Sequence, residues 1–196
     1  DIVSNFNQSN ITKKDIINGA LSYLDNISKR NPLNLKITLD KMPQNYLYIG
    51  FIKLMFPNSK ILNVNRNPID NFLSIYQTHF VSGHTYSYDL NDIANVYDKY
   101  QIILDYWNQL FPNEIYNIYY EDFINDLKKN TNKLLDFCDL TIENSCYQFH
   151  NNKTHVKTNS FYQVRQELYS SSVNKWKNYE KFIKEEFKGY QKYIND

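Results

Sequence analysis

Glycine is scarce in this chain: four in 196 residues, at positions 19, 50, 83 and 189. None falls in a cluster ahead of Lys41, so there is no Gly- and Ser/Thr-containing loop whose N–H groups could cradle a phosphate. A phosphate-loop lysine and a magnesium-binding carboxylate are missing with it, which argues against a nucleotide or sugar kinase. Cysteine is scarcer still, with only Cys138 and Cys146. Seven residues, about two helical turns, separate them, so a mutual disulfide is not expected, and so few cysteines suit a reducing compartment. No apolar run of about 18 residues and no charged-then-apolar start occurs, which gives neither a transmembrane nor a secretory segment. Excess charge is lacking too: 22 Lys and Arg face 21 Asp and Glu, for a formal charge of +1. That excludes a global field for gripping nucleic acid or an anionic membrane, and any anion site must be local. The four histidines, at 79, 84, 150 and 155, lie five, 66 and five residues apart. That spacing does not make the i, i+4 pair with an intervening carboxylate of a helical metal site, so no metal is expected.

What is present is aromatic bulk, 18 Tyr and 12 Phe within a 42% hydrophobic composition. It suffices for one domain burying roughly 70% of its unfolded surface. No repeat, low-complexity tract or linker divides it, so residues 1–196 read as a single domain. The Asn-X-Ser/Thr triplets at Asn7, Asn10, Asn26 and Asn152 arise by chance in so Asn-rich a chain.

Along the chain, Thr12 and Asp15 form a capping box that opens a helix with Ile16, Ile17, Ala20, Leu21 and Leu24 on one side, ending near Arg30. Residues 35–39 read as a strand, and Pro43 suits the first turn of a following helix. A second strand spans residues 60–65, with a helix from Asn67-Pro68 toward Phe80. Asp89 caps a long helix to Leu110, residues 115–119 form a third strand, and helices follow through Phe137. After Phe149 the pattern loosens and regains helical character around 173–183. Strands alternating with helices predict an α/β fold, a three-layer parallel sheet with helices on both faces.

In such a sheet ligands bind beyond the carboxyl ends of the strands, where helix N-termini favour anions. Asp40-Lys41-Met42-Pro43, Asn65-Arg66-Asn67-Pro68 with Ser74, and Tyr120-Glu121-Asp122 occupy those positions. Arg66 can hold a phosphate with two parallel hydrogen bonds, and Ser74, eight residues on, can add a hydroxyl donor. Read by spacing alone, Arg66 and Lys41 could equally be surface cations beside strand ends, Tyr120 a rim residue and Glu121-Asp122 a helix cap. Trp107 and Trp176 read as packing residues, and Trp176 could fix the stem of its neighbour Lys175.

The string Asn65-Arg66-Asn67-Pro68-Ile69-Asp70-Asn71-Phe72-Leu73-Ser74 resembles the nucleotide 3′-phosphate motif of sulfotransferases. Asp40-Lys41-Met42-Pro43 resembles their Asp-Lys-x-Pro element, and Tyr119-Tyr120-Glu121-Asp122-Phe123 their Tyr-Glu-Asp segment. Thr158 to Arg165, with Ser172-Val173-Asn174-Lys175-Trp176, resembles their C-terminal nucleotide loop. The chain is most similar in these motifs to bacterial-type sulfotransferases related to protein-tyrosine sulfotransferases, over about residues 35 to 180.

The resemblance implies a P-loop nucleoside-triphosphatase-like sulfotransferase fold and transfer of a sulfuryl group from 3′-phosphoadenosine 5′-phosphosulfate to a hydroxyl or amine acceptor, without a metal. It assigns Arg66, Ser74, Ser160 and Lys175 to the phosphate contacts and places Tyr120 near the adenine. Lys41, assisted by Ser160, would meet charge developing on the bridging oxygen. The N-terminal phosphosulfate loop and a carboxylate base are not found, so the chain reads as a truncated, N-terminally incomplete sulfotransferase-like domain, inactive by itself. Its bare sheet edge would invite pairing, a homodimer included. The alternative is a non-catalytic nucleotide-binding or interaction module on the same fold. A cytoplasmic setting is expected, or the Golgi lumen for a tyrosine-sulfating enzyme; the acceptor is left open.

Overall fold

The structure, a computed structural model, describes residues 11–30, 37–80, 83–152 and 165–194. Helix α1 (Lys13–Arg30) opens with the expected capping box: the Thr12 N–H donates to Asp15 Oδ2 at 2.8 Å, and the Asp15 N–H donates to Thr12 Oγ1 at 3.3 Å. Lys29 and Arg30 in its last turn complement the helix dipole. Its apolar side does not enter the core, since Ile17, Leu21 and Leu24 are about half exposed or more and none of its residues is buried. Contact with the body runs through Tyr23, whose ring lies 5.3 Å from that of Phe56 and whose hydroxyl donates to Asp40 at 2.6 Å.

A 3₁₀ turn (Pro43–Tyr48) with proline at its start leads into α2 (Ile49–Met55). Strand β1 (Ile61–Asn65), α3 (Pro68–Gln77), the long α4 (Leu90–Leu110) and β2 (Ile115–Tyr119) follow. The chain continues through α5 (Tyr120–Asn125), α6 (Leu127–Phe137), several 3₁₀ turns and α7 (Glu180–Glu186). Asp89 caps α4 as expected, accepting from the N–H groups of Asn91 at 2.7 Å and Asp92 at 3.0 Å.

Strands β1 and β2 pair in parallel, from Ile61 opposite Ile115 to Asn65 opposite Tyr119. Among the described residues the sheet has these two strands, so the architecture is a mostly helical α/β arrangement around a small parallel sheet. The strand expected at residues 35–39 is corrected in its described part: Ile37, Thr38 and Leu39 belong to no strand. Ile37 is 62% and Leu39 80% exposed, so the apolar alternation that suggested a strand finds no neighbour to bury it.

Two apolar clusters hold the elements. The larger joins Ile69, Phe72 and Leu73 of α3, Leu90, Ile93 and Ala94 of α4, and Trp176, Ile183, Phe187 and Tyr193 from the C-terminal region. The smaller joins Ile49 of α2, Leu104 of α4 and Ile115 of β2. At the amino ends of the strands the largely buried Lys53 ammonium is held by the carbonyls of Pro57 and Ser59 and by the Glu114 carboxylate.

Candidate functional site

Parallel pairing in register sends both strands' carboxyl ends the same way, so the residues after Asn65 and Tyr119 become neighbours. Arg66 follows β1 and Tyr120 follows β2; the guanidinium carbon lies 5.5 Å from the centroid of the Tyr120 ring, a cation–π distance. Next along, the Asn67 N–H donates to Glu121 Oε1 at 2.9 Å, tying the two strand ends a second time. The Asn67 side chain accepts from the Asp70 N–H at 3.1 Å and caps α3, with Pro68 in the first turn.

A third element, residues 169–176, closes over this pair. The Ser172 carbonyl accepts from Arg66 Nη2 at 2.6 Å. The Tyr120 hydroxyl donates to the Tyr169 carbonyl at 3.2 Å and lies 2.9 Å from Ser172 Oγ. Asp70, 1% exposed, accepts from the N–H groups of Asn174 at 2.6 Å and Trp176 at 2.8 Å. Asn174 adopts a left-handed conformation at φ 58°, which suits asparagine better than most residues. Lys175, between the two donors, is exposed, and its Nζ donates to Gln77 Oε1 at the end of α3 at 3.2 Å.

Arg66 is thus held at one end and unsatisfied at another. Nη2 is engaged with Ser172, whereas Nε is buried with no partner among the described residues. A buried N–H left without an acceptor is costly, so this side chain is suited to an oxygen ligand brought in from outside. The chemistry of the cluster, a clamped guanidinium over a phenol ring and a lysine on an adjacent turn, fits a phosphate beside an aromatic group.

Of the residues singled out in the sequence, Arg66, Tyr120 and the Lys175 segment come together here. Ser74 is exposed on α3, where its carbonyl accepts from Thr78 Oγ1 at 2.7 Å. Lys41 is exposed ahead of Pro43, and its neighbour Asp40 is held by Tyr23 and, at 3.4 Å, by Asn45. Ser160 lies outside the described residues. Asp70 and Ser172 stood only as members of longer motifs and Glu121 as a helix cap, yet they carry the hydrogen bonds that join the three segments. Asp70 offered a signal: a carboxylate beside Ile69, Phe72 and Leu73, a face that had to be buried.

One turn beyond Tyr120, Phe123, Ile124 and Leu127 line an open cleft of about 450 Å³ with Phe149, His150 and Leu168. Among the described residues no group of three or more His, Cys, Asp and Glu gathers as a metal site. No helix among them is long and apolar enough to cross a membrane.

The profile of the sulfotransferase family matches residues 8–144 of this sequence. An uncharacterized protein of Aquifex aeolicus (strain VF5) is 36% identical over 167 residues, covering 84% of this chain and 22% of that protein. The chain therefore spans little more than a fifth of the relative it matches. No solved structure matches. With most of its length inside the family profile, the chain belongs to the sulfotransferase family, whose general chemistry is sulfuryl transfer. Lys41, Arg66, Ser74 and Tyr120 fall within the matched stretch; Ser160 and Lys175 lie beyond it.

Proposed function

We propose that this chain carries the 3′-phosphoadenosine-binding part of a sulfotransferase domain. In that domain a sulfuryl group passes from 3′-phosphoadenosine 5′-phosphosulfate to a hydroxyl or amine acceptor. The observation that carries the reading is Arg66: a guanidinium fixed by the Ser172 carbonyl, lying over Tyr120, with a buried Nε that has no partner among the described residues. The nucleotide's 3′-phosphate supplies the oxygen that Nε lacks. Ser74, Lys175 and Ser160 complete the phosphate contacts, and the adenine lies against Tyr120 with the open cleft beyond it. Lys41 faces the bridging oxygen, where negative charge develops as the sulfuryl group leaves, and no metal takes part. The complete domain has a three-layer parallel sheet to which β1 and β2 contribute. With no glycine-rich phosphosulfate loop in the sequence, the 196 residues alone bind nucleotide without turning over.

The test is calorimetric titration of the chain and of Arg66→Ala with adenosine 3′,5′-bisphosphate, using AMP as control. Charge-assisted hydrogen bonds contribute about 1.5 to 3 kcal/mol each, so Arg66→Ala should weaken bisphosphate binding by at least about tenfold and leave AMP unchanged. Equal binding of both nucleotides, or a preference that survives Arg66→Ala, would overturn the assignment. Turnover of the phosphosulfate donor by the unextended chain would refute its inactivity. Silence toward both nucleotides would move the lead to a non-catalytic interaction module.

A further inference from the structure

Asp70 has no direct part in the reading above, yet it is among the most deeply buried polar residues described, 1% exposed among Ile69, Phe72 and Leu73. A carboxylate out of water is costly unless its oxygens are hydrogen-bonded. Its oxygens are met by main-chain N–H groups, those of Asn174 at 2.6 Å and Trp176 at 2.8 Å, 104 and 106 residues away in sequence. The left-handed turn at Asn174 accompanies the convergence of both donors on one carboxylate. Lys175, the residue between them, is exposed and reaches α3 at Gln77. Two residues upstream of Asn174, Ser172 grips Arg66 through its carbonyl and Tyr120 through its hydroxyl. One carboxylate therefore fixes a short stretch of backbone whose Ser172 carbonyl orients the Arg66 guanidinium, 106 residues away in sequence.

We infer that Asp70 is a positioning residue for the nucleotide site: it docks residues 172–176 onto the first turn of α3, so that the Ser172 carbonyl holds the Arg66 guanidinium ready for the phosphate group. The inference rests on the 3′-phosphate reading and adds how that site is assembled. The burial of Asp70 is then explained by geometry as well as by stability. Its two bonds keep the Ser172 carbonyl in register with Arg66 before any ligand arrives, which lowers the ordering cost of binding.

Asp70→Asn is the informative variant, because the amide keeps the shape but turns an NH₂ toward one of two N–H donors. The chain, Asp70→Asn, Arg66→Ala and the double variant are each titrated with adenosine 3′,5′-bisphosphate and with AMP. Asp70→Asn should weaken bisphosphate binding roughly tenfold and AMP binding less than about twofold. Its effect should largely vanish in the Arg66→Ala background, the non-additivity expected of residues acting through one another. A purely structural role would lower the melting midpoint and leave the bisphosphate-to-AMP ratio of the folded fraction unchanged; that outcome overturns the inference while the 3′-phosphate reading stands. A chain with no preference for the bisphosphate sinks the reading, and the inference with it. If Asp70→Asn does not fold, amide hydrogen exchange on the unaltered chain decides. Protection of the Asn174 and Trp176 amides before nucleotide is added supports the docking, and exchange as fast as that of their exposed neighbours refutes it.

Discussion

Tyr100 shows at the level of one side chain how the sheet is tied to its covering helix. Its hydroxyl donates to Asn63 Oδ1 at 2.6 Å, while Asn63 Nδ2 donates to Asn117 at 2.9 Å and Asn65 at 3.1 Å. Burial is the main cause pushing the Tyr100 phenol up to about 12. In the unfolded chain the same group ionises near pH 10, so its contribution is complete below that pH and is lost as pH rises from 10 toward 12. Tyr23, raised to about 12 by burial and by the Asp40 carboxylate, adds to the loss in the same window but is more exposed. Alkaline denaturation followed by circular dichroism should steepen between pH 10 and 12, and less so in Tyr100→Phe. At neutral pH that substitution should cost about 1 kcal/mol for the lost hydrogen bond, measured by urea unfolding.

Among the elements, α4 carries the clearest dependencies. Gly50 of α2 lets that helix approach Trp107: a Cβ there would lie 2.7 Å and 2.9 Å from two indole carbons. The indole has little room to yield, because Nε1 donates to the Tyr46 carbonyl at 2.7 Å and the ring stacks on Phe111 at 6.0 Å. Gly50→Ala, despite alanine's better helix propensity, should therefore destabilise by about 1 to 3 kcal/mol in chemical denaturation. At the start of α4 the Asp92 and Asn91 N–H groups hold the Asp89 carboxyl below the usual carboxylate range. The cap's contribution is present above the unfolded carboxyl value and fades as pH falls through the lowered folded one. Asp89→Ala should lower the melting midpoint at pH 7 and differ less from the parent in strong acid.

Over the whole molecule, the larger cluster depends on segments far apart in sequence. Phe72 of α3 packs edge-on against Tyr97, Phe187 and Tyr193, and Ile183 of α7 is 1% exposed in the same cluster. Ile183→Ala should cost about 2 to 5 kcal/mol in denaturant unfolding. Because Trp176 shares that cluster and donates its N–H to Asp70, the loss should also speed proteolysis of residues 165–179. The two-stranded sheet is only partly covered among the described residues: Ile115 is buried, but Val64 is 69% and Tyr119 52% exposed, unlike parallel sheets that are clothed on both faces.

Local interactions were legible because their partners sit a few residues apart. Thr12 with Asp15, Asp89 with its two following N–H groups, and Pro43 and Pro68 opening their turns all follow from neighbouring residues. Family membership was legible in the same way, as short ordered strings. The alternation at Ile37 and Leu39 was not enough to make a strand, because a strand exists only by pairing and neither residue found a strand partner among the described residues. The amphipathic pattern of α1 formed its helix but did not decide that the helix would be buried. The candidate site was half legible: Arg66 and Tyr120 stood out as residues, but only the parallel register made them neighbours. Asp70, Glu121 and Ser172 became meaningful only when the fold brought together segments 54 to 106 residues apart. Sequence determined the local hydrogen bonds and the chemical types available; tertiary structure decided which buried donors met which acceptors, since that pairing depends on chain segments remote in sequence sharing one dry space.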